Sequence, residues 1–254
     1  FKNKYNYIFQ NSDGRVIFAI PYEENYTLVG TTDIEHKGDL NNIICTEEEK
    51  EYLINSINSY FKFRANKKNI VWSFSGVRPL FDDQKTSAQK VTRDYVIKTV
   101  DENSKLPLVN IFGGKITTYR KLAEKVLNEL KPYLSIKKKW TQNSKLPGGN
   151  FEVHDFTKLE DELSKKYNFL DRKWANRLIR AYGTEAKDIL GESESLSDLG
   201  ENFGWNLTEK EVLWLMENEW AETVDDILWR RSKIGLRLDK NEVNKLELFL
   251  NKKV

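Results

Sequence analysis

Residues 108–130 run from an apolar stretch, Leu108–Phe112, through Gly113-Gly114-Lys115 into a pattern with helical spacing that continues to Leu130, just before Pro132. A strand that turns into a helix over two glycines constrains the fold, because glycine lets the backbone turn tightly and approach a neighbour closely. The same junction is an anion seat. The first N–H groups of a helix lack intrahelical partners, and the helix dipole adds partial positive charge. Lys115, Thr117 and Thr118 bring a cation and two hydroxyls to that place. The dipole contributes only ~0.3–1 kcal/mol when exposed, so selectivity for an anion rests on the lysine and several aligned N–H groups. The ordinary meaning of a lone Gly-Gly-Lys is a packed turn with its lysine in solvent. A nucleotide P-loop does not fit, since it needs glycine where Val109 stands and Ser or Thr where Ile116 stands.

Upstream, Arg15–Ile20 and Tyr26–Thr31 are apolar runs flanking Pro21 and Glu23-Glu24-Asn25, which predicts two adjacent strands and a short loop. Thr46 and Glu49 form a capping-box pattern, followed by Leu53, Ile57 and Tyr60 at helical spacing. Ile70–Phe74, Val91–Val100 and Leu108–Phe112 complete the strand-like set. Ile116, Tyr119, Ala123, Val126 and Leu130 predict a buried face on the helix after the glycines. Beyond the loop Leu146-Pro147-Gly148-Gly149-Asn150 the pattern becomes helical, which places a domain boundary there, 1–147 against 148–254. Predicted helices cover Asp155–Lys166, Asp171–Tyr182, Thr208–Trp220 with a second Thr208/Glu211 box, Thr223–Lys233 and Asp239–Asn251. Trp174, Trp214, Trp220 and Trp229 lie on their apolar stripes and are expected in the core. The fold class is therefore α+β: a mixed β-sheet domain with flanking helices, then an all-α C-terminal domain.

Two further cations stand at strand ends. Pro79 biases Arg78 toward an extended backbone where the run 70–74 leaves its sheet, and a guanidinium presents a planar fork matched to carboxylate or phosphate oxygens. Arg93 opens the next run. Each has a structural alternative, Arg78 pairing with Asp82, Asp83 or Asp94 and Arg93 with Asp94. Convergence of Arg78, Arg93 and Lys115 would make a phosphate pocket.

Composition removes other classes. With 39% hydrophobic residues the chain can build a core, and Lys plus Arg number 41 against 39 Asp plus Glu, so no global field argues for nucleic acid. Lys137–Lys139 beside Trp140 is a local charge run of the kind found in solvated linkers. Cys45 is the single cysteine, which excludes an intrachain disulfide. His36, His154 and Cys45 share no ligand spacing, so no metal site is expected. No run approaches the ~18–20 apolar residues of a membrane-spanning helix. The chain starts in mid-pattern at Phe1, the expectation being a piece of a larger protein.

Eight ordered landmarks then coincide: Ile20-Pro21, Val29-Gly30-Thr31-Thr32-Asp33, Ser75-Gly76-Val77-Arg78-Pro79-Leu80, Thr92-Arg93-Asp94-Tyr95, Phe112–Arg120, Leu146-Pro147-Gly148-Gly149, Ser197-Asp198-Leu199-Gly200 and Leu228-Trp229-Arg230-Arg231. With them the sequence resembles, over nearly its whole length, the C-terminal half of FAD-dependent (aerobic) glycerol-3-phosphate dehydrogenases and the related glycerophosphate oxidases. The N-terminal dinucleotide fingerprint of that family is absent, for none of the 13 glycines is followed by another two positions later. The resemblance implies a substrate cap, a returning flavin-contact strand and helix, and a helical domain, inactive in isolation. It implies FAD as cofactor, with Gly113, Gly114, Lys115, Thr117 and Thr118 against the flavin's pyrimidine end. Arg78 and Lys115 would be the catalytic groups, and Arg78, Arg93 and Lys115 would bind glycerol 3-phosphate while hydride passes from its C2 to flavin N5. The product would be dihydroxyacetone phosphate, with electrons going to quinone or, in the oxidases, to oxygen. The implied setting is cytoplasmic, without nucleic acid. Peripheral association with the inner face of the cell membrane and a homodimer stay open, as does a noncatalytic interaction module.

Overall fold

The computed structural model describes residues 4–81, 94–101 and 107–253, which form two compact units divided between Asn143 and Ser144. The class is α+β.

The first unit opens with an antiparallel meander of β1 (Tyr7–Gln10), β2 (Val16–Tyr22) and β3 (Tyr26–Gly30). Pro21 sits inside β2 opposite Thr27, beyond the reach of β1, which pairs only as far as Tyr7 with Ala19. A residue without an N–H is tolerated there because, among the described residues, only one flank of the strand carries a ladder at that position. Ile17 and Ala19 share one face of β2 by the two-residue period and are buried with Ile57 of α1 (Glu47–Tyr60). The expected Thr46/Glu49 capping box starts α1, with both reciprocal bonds present. Asn11, in the β1–β2 turn, donates to Tyr52 Oη and Ser56 Oγ, and Tyr60 Oη donates to the Gln10 carbonyl, so α1 is tied to the hairpin.

A second antiparallel pair, β4 (Val96–Val100) and β5 (Leu108–Phe112), leads through a 3-10 turn at Ile116–Thr118 into α2 (Tyr119–Glu129). Both described sheets are antiparallel, so the mixed sheet expected from sequence is not found among the described residues. Ile70–Phe74 joins no ladder among them either. Its β-branched and aromatic residues favour a strand, but a strand exists only with a partner. The predicted run 91–100 is described from residue 94 onward. The buried face of the following helix is also corrected: Ile116 and Tyr119 are 87% and 53% exposed, Ala123 is exposed, and Val126 and Leu130 are half-buried. The most covered side chain of α2 is Glu124, drawn down by Arg120 at 2.6 Å and Lys139 at 3.4 Å. Burial pushes its carboxyl up, and Lys139, Arg120 and Lys121 outweigh that and leave it below the usual range.

The second unit is built from α3 (Phe156–Lys166), α4 (Arg172–Tyr182), α5 (Ala186–Leu190), α6 (Glu209–Glu219) and α7 (Lys240–Asn251), with one antiparallel bridge between Asn202 and Thr208. Its buried cluster extends from Leu163 through Leu178, Phe203 and Leu215 to Leu250. Gly148 and Gly183 touch backbone to backbone, the Thr184 N–H donating to the Gly148 carbonyl at 2.9 Å, and a Cβ on either glycine would overlap the other strand of chain. That contact is the physical content of the Leu146-Pro147-Gly148-Gly149 landmark.

Three helical expectations in this unit are modified. Thr208 makes no side-chain cap; Glu211 instead lies buried, where it accepts from Arg177 Nη1 and Nη2 at 2.6 and 2.7 Å and from Tyr182 Oη at 2.6 Å. Burial, and then the charge of Glu211, push the Tyr182 phenol well above its ordinary value. Thr223–Lys233 is a wide π-type turn at Asp226–Arg231, not a regular helix. There Arg231 donates to the Glu219 and Trp220 carbonyls, satisfying the open end of α6. Trp220 is 81% exposed rather than core, since it closes α6 in the left-handed conformation (φ 53°) and leaves the helical stripe. Trp174 is buried, and Trp214 and Trp229 pack against the core as expected.

Candidate functional site

The turn after β5 consists of two glycines with positive φ, Gly113 at 69° and Gly114 at 104°, conformations that side chains rarely adopt. Their missing side chains leave room for neighbours. From where a Gly113 Cβ would stand, the Pro79 carbonyl is 3.4 Å away, the Asp94 carbonyl 3.5 Å and the Phe81 nitrogen 3.7 Å. At Gly114 the nearest atom is Tyr95 Cβ, 3.2 Å away. The rings of Phe81 and Phe112 meet edge to face at 5.5 Å. The segment carrying Arg78, the entry to β4 and the Gly-Gly turn therefore form one junction, although they are far apart in sequence.

Arg78 and Lys115 each have an acidic neighbour. Arg78 Nη1 lies 3.3 Å from Asp33 Oδ2, and Lys115 Nζ lies 3.8 Å from Asp94 Oδ1. Both cations are about half exposed, 49% and 55%. Pairs this open contribute ~0–1 kcal/mol, so neither cation is neutralised and both can engage an incoming anion at little cost. Lys115 also begins the 3-10 turn: its carbonyl accepts from the Thr118 N–H at 2.9 Å and from Thr118 Oγ1 at 2.8 Å. Gly114, Lys115 and Thr117 are exposed, and Gly113 and Thr118 are half-buried. Arg93 lies outside the described residues, as do Asp82 and Asp83.

The partner of Arg78 was not anticipated. Asp33 follows β3, and its only sequence signal was membership of the Val29-Gly30-Thr31-Thr32-Asp33 landmark. Thr32 beside it donates to Glu49 Oε1, the carboxylate whose Oε2 accepts from the Thr46 N–H at 2.9 Å in the capping box. The loop after β3 is thus fastened to the start of α1.

A flavin edge fits this chemistry. Two positive-φ glycines, an exposed lysine and two threonines open a helix start, which suits the carbonyl-bearing pyrimidine end of an isoalloxazine, where negative charge gathers on reduction. Elsewhere, Lys139 is engaged with Glu124 while Trp140 is 74% exposed. No group of three or more potential metal-ligating side chains occurs among the described residues, and no helix there is long and apolar enough to cross a membrane.

Comparison with known proteins adds independent findings. Residues 2–120 match the model of the FAD dependent oxidoreductase family, and residues 139–247 match that of the C-terminal domain of alpha-glycerophosphate oxidase. The chain is 43% identical over 248 residues to the aerobic glycerol-3-phosphate dehydrogenase of Escherichia coli (strain K12), covering 97% of this chain and 49% of that protein. It is 41% identical over 251 residues to a glycerol-3-phosphate dehydrogenase of Pseudomonas aeruginosa, covering 98% and 49%. It is 42% identical over 237 residues to the D-erythritol 1-phosphate dehydrogenase of Brucella abortus, covering 93% and 47%. The chain spans about half the length of these curated relatives.

Proposed function

This chain belongs to the FAD-dependent oxidoreductase family that contains the aerobic glycerol-3-phosphate dehydrogenases, and from that premise we propose that it forms the substrate-binding and C-terminal portion of a flavoenzyme oxidising sn-glycerol 3-phosphate to dihydroxyacetone phosphate. The observation that carries the reading is the junction itself, where the segment carrying Arg78 and a Gly-Gly-Lys turn meet although more than thirty residues separate them. FAD, when bound, supplies the two-electron acceptor.

The roles of the chain's own residues follow from their chemistry. Gly113, Gly114 and Thr117 offer backbone N–H groups and a hydroxyl to the flavin's pyrimidine edge, where a helix start favours negative charge, and Thr118, whose N–H and hydroxyl both donate to the Lys115 carbonyl, contributes its Oγ1 as an acceptor. Arg78, with Nη1 turned to Asp33, presents its remaining N–H groups to an oxygen of the substrate and orients it beside the ring. Lys115 exchanges its long contact with Asp94 for the substrate and stands between cofactor and substrate. Arg93, directly before Asp94 in sequence, completes the phosphate site. In this reading residues 1–147 are the cap with its returning flavin-contact strand and helix, and residues 148–254 are an all-α domain. Quinone is the proposed electron acceptor, with a cytoplasmic setting, peripheral contact with the inner membrane face, and a homodimer as further parts of the proposal.

The reading is tested with purified full-length protein under anaerobic conditions. Adding glycerol 3-phosphate bleaches the oxidised flavin spectrum; an unchanged spectrum contradicts it, and bleaching by erythritol 1-phosphate alone would replace glycerol 3-phosphate as the substrate. One observation favours a second reading, the match of residues 139–247 to the C-terminal domain of alpha-glycerophosphate oxidase. Stoichiometric peroxide in air would select that oxidase.

A further inference from the structure

We propose that Thr32 and Glu49 are positioning residues for Arg78, acting through Asp33. The proposal rests on the reading above, in which Arg78 contacts the substrate. A capping box needs one carboxylate oxygen from its glutamate, and Glu49 Oε2 provides it by accepting from the Thr46 N–H at 2.9 Å. Its other oxygen, Oε1, accepts from Thr32 Oγ1, a residue 17 positions earlier and outside the helix. Capping does not require that second bond. Its effect is to fasten the chain next to Asp33, two residues past the end of β3 at Gly30, to the first turn of α1.

The fastening reaches Arg78 in one step. Asp33 Oδ2 holds the guanidinium at 3.3 Å. On the far side, α1 is itself immobilised on the sheet by buried Ile57, by Ser56 Oγ and Tyr52 Oη accepting from Asn11, and by Tyr60 Oη on the Gln10 carbonyl. A rigid path therefore runs from the sheet through α1, Glu49, Thr32 and Asp33 to a long side chain that would otherwise sample many rotamers. Holding Arg78 in one orientation before substrate arrives lowers the ordering cost of binding. The path should act on substrate binding rather than on the chemical step.

The experiment is a steady-state double-mutant cycle in full-length enzyme with Thr32→Val and Arg78→Lys, glycerol 3-phosphate being the varied substrate. Thr32→Val keeps the side-chain shape and removes the donor, and is expected to raise KM ~3- to 10-fold, the range for one lost hydrogen bond, with kcat changed less than about twofold. Thr32→Ser, which keeps the hydroxyl, restores KM. In the Arg78→Lys background Thr32→Val has little further effect, because the group it positions is gone. Asp33→Asn serves as a second variant and shows the same dependence on Arg78. Equal KM effects of Thr32→Val with and without Arg78, or a KM loss that Thr32→Ser does not restore, would overturn the positioning role while leaving the function intact. Absence of any turnover in the wild type would overturn the functional reading and this proposal together.

Discussion

The two units of this chain hold themselves together differently. In the second, 23 apolar residues are buried in one cluster, and the buried carboxylate of Glu211 is held by Arg177 and Tyr182. In the first, three apolar residues are buried among those described, Ile17, Ala19 and Ile57, while Leu108, Ile111, Phe112 and Ile116 along β5 and the following turn stand exposed. The first unit carries every described residue of the candidate site. Stability is concentrated where no chemistry is proposed, and the site sits on a framework tied by polar struts: a capping box, Asn11 on α1 and Asp33 on Arg78.

The largest expected effect that could break this contrast is Glu211→Ala. It leaves the Arg177 charge without its carboxylate and the Tyr182 hydroxyl without its acceptor in a buried place, which costs ~3–5 kcal/mol. Thermal unfolding should shift down by roughly 10 °C or more, with KM for glycerol 3-phosphate unchanged in the surviving folded protein. A shift corresponding to less than ~1 kcal/mol would mean that this unit does not depend on its buried ion network.

A smaller effect should appear with pH. Asp226 accepts from Thr223 Oγ1, from the Thr223 and Glu222 N–H groups and from Arg231, and these hold its carboxyl far below the ordinary carboxylate range. Because the folded-state value lies below the unfolded one, its contribution is complete above the unfolded pKa of about 3.9 and is lost as pH falls below it. Asp226→Asn should therefore lower the unfolding midpoint at pH 7 and progressively less toward pH 2. A difference that stays constant over that interval would show that the carboxylate's charge is not what holds the π-type turn.

How much was legible beforehand follows the same division. Thr46 and Glu49 were readable as a capping box because both bonds are local, β2, β3 and β5 lie on apolar runs, and α7 follows from its capping residues. Thr208 and Glu211 have the same spacing, yet Glu211 is claimed by Arg177 from another helix, a partner that local spacing cannot reveal. The stripe Ile116, Tyr119, Ala123, Val126 and Leu130 identified a helix correctly but not what covers it. At the site, the paired glycines and Lys115 announced themselves through chain geometry. Asp33 did not, since a carboxylate in a loop has no periodicity and its role depends on an arginine 45 residues away.

The central claim is that Arg78 and Lys115 serve one anionic substrate beside the flavin. Its most direct measurement is the glycerol 3-phosphate concentration that half-bleaches the flavin of full-length protein under anaerobic conditions, for wild type, Arg78→Lys, Lys115→Met and the double variant. Each single substitution is expected to raise that concentration ~10- to 100-fold, the range for a lost charge-assisted hydrogen bond, and the double variant should fall short of the product of the two because both groups share one ligand. Single variants that titrate like the wild type would contradict the account.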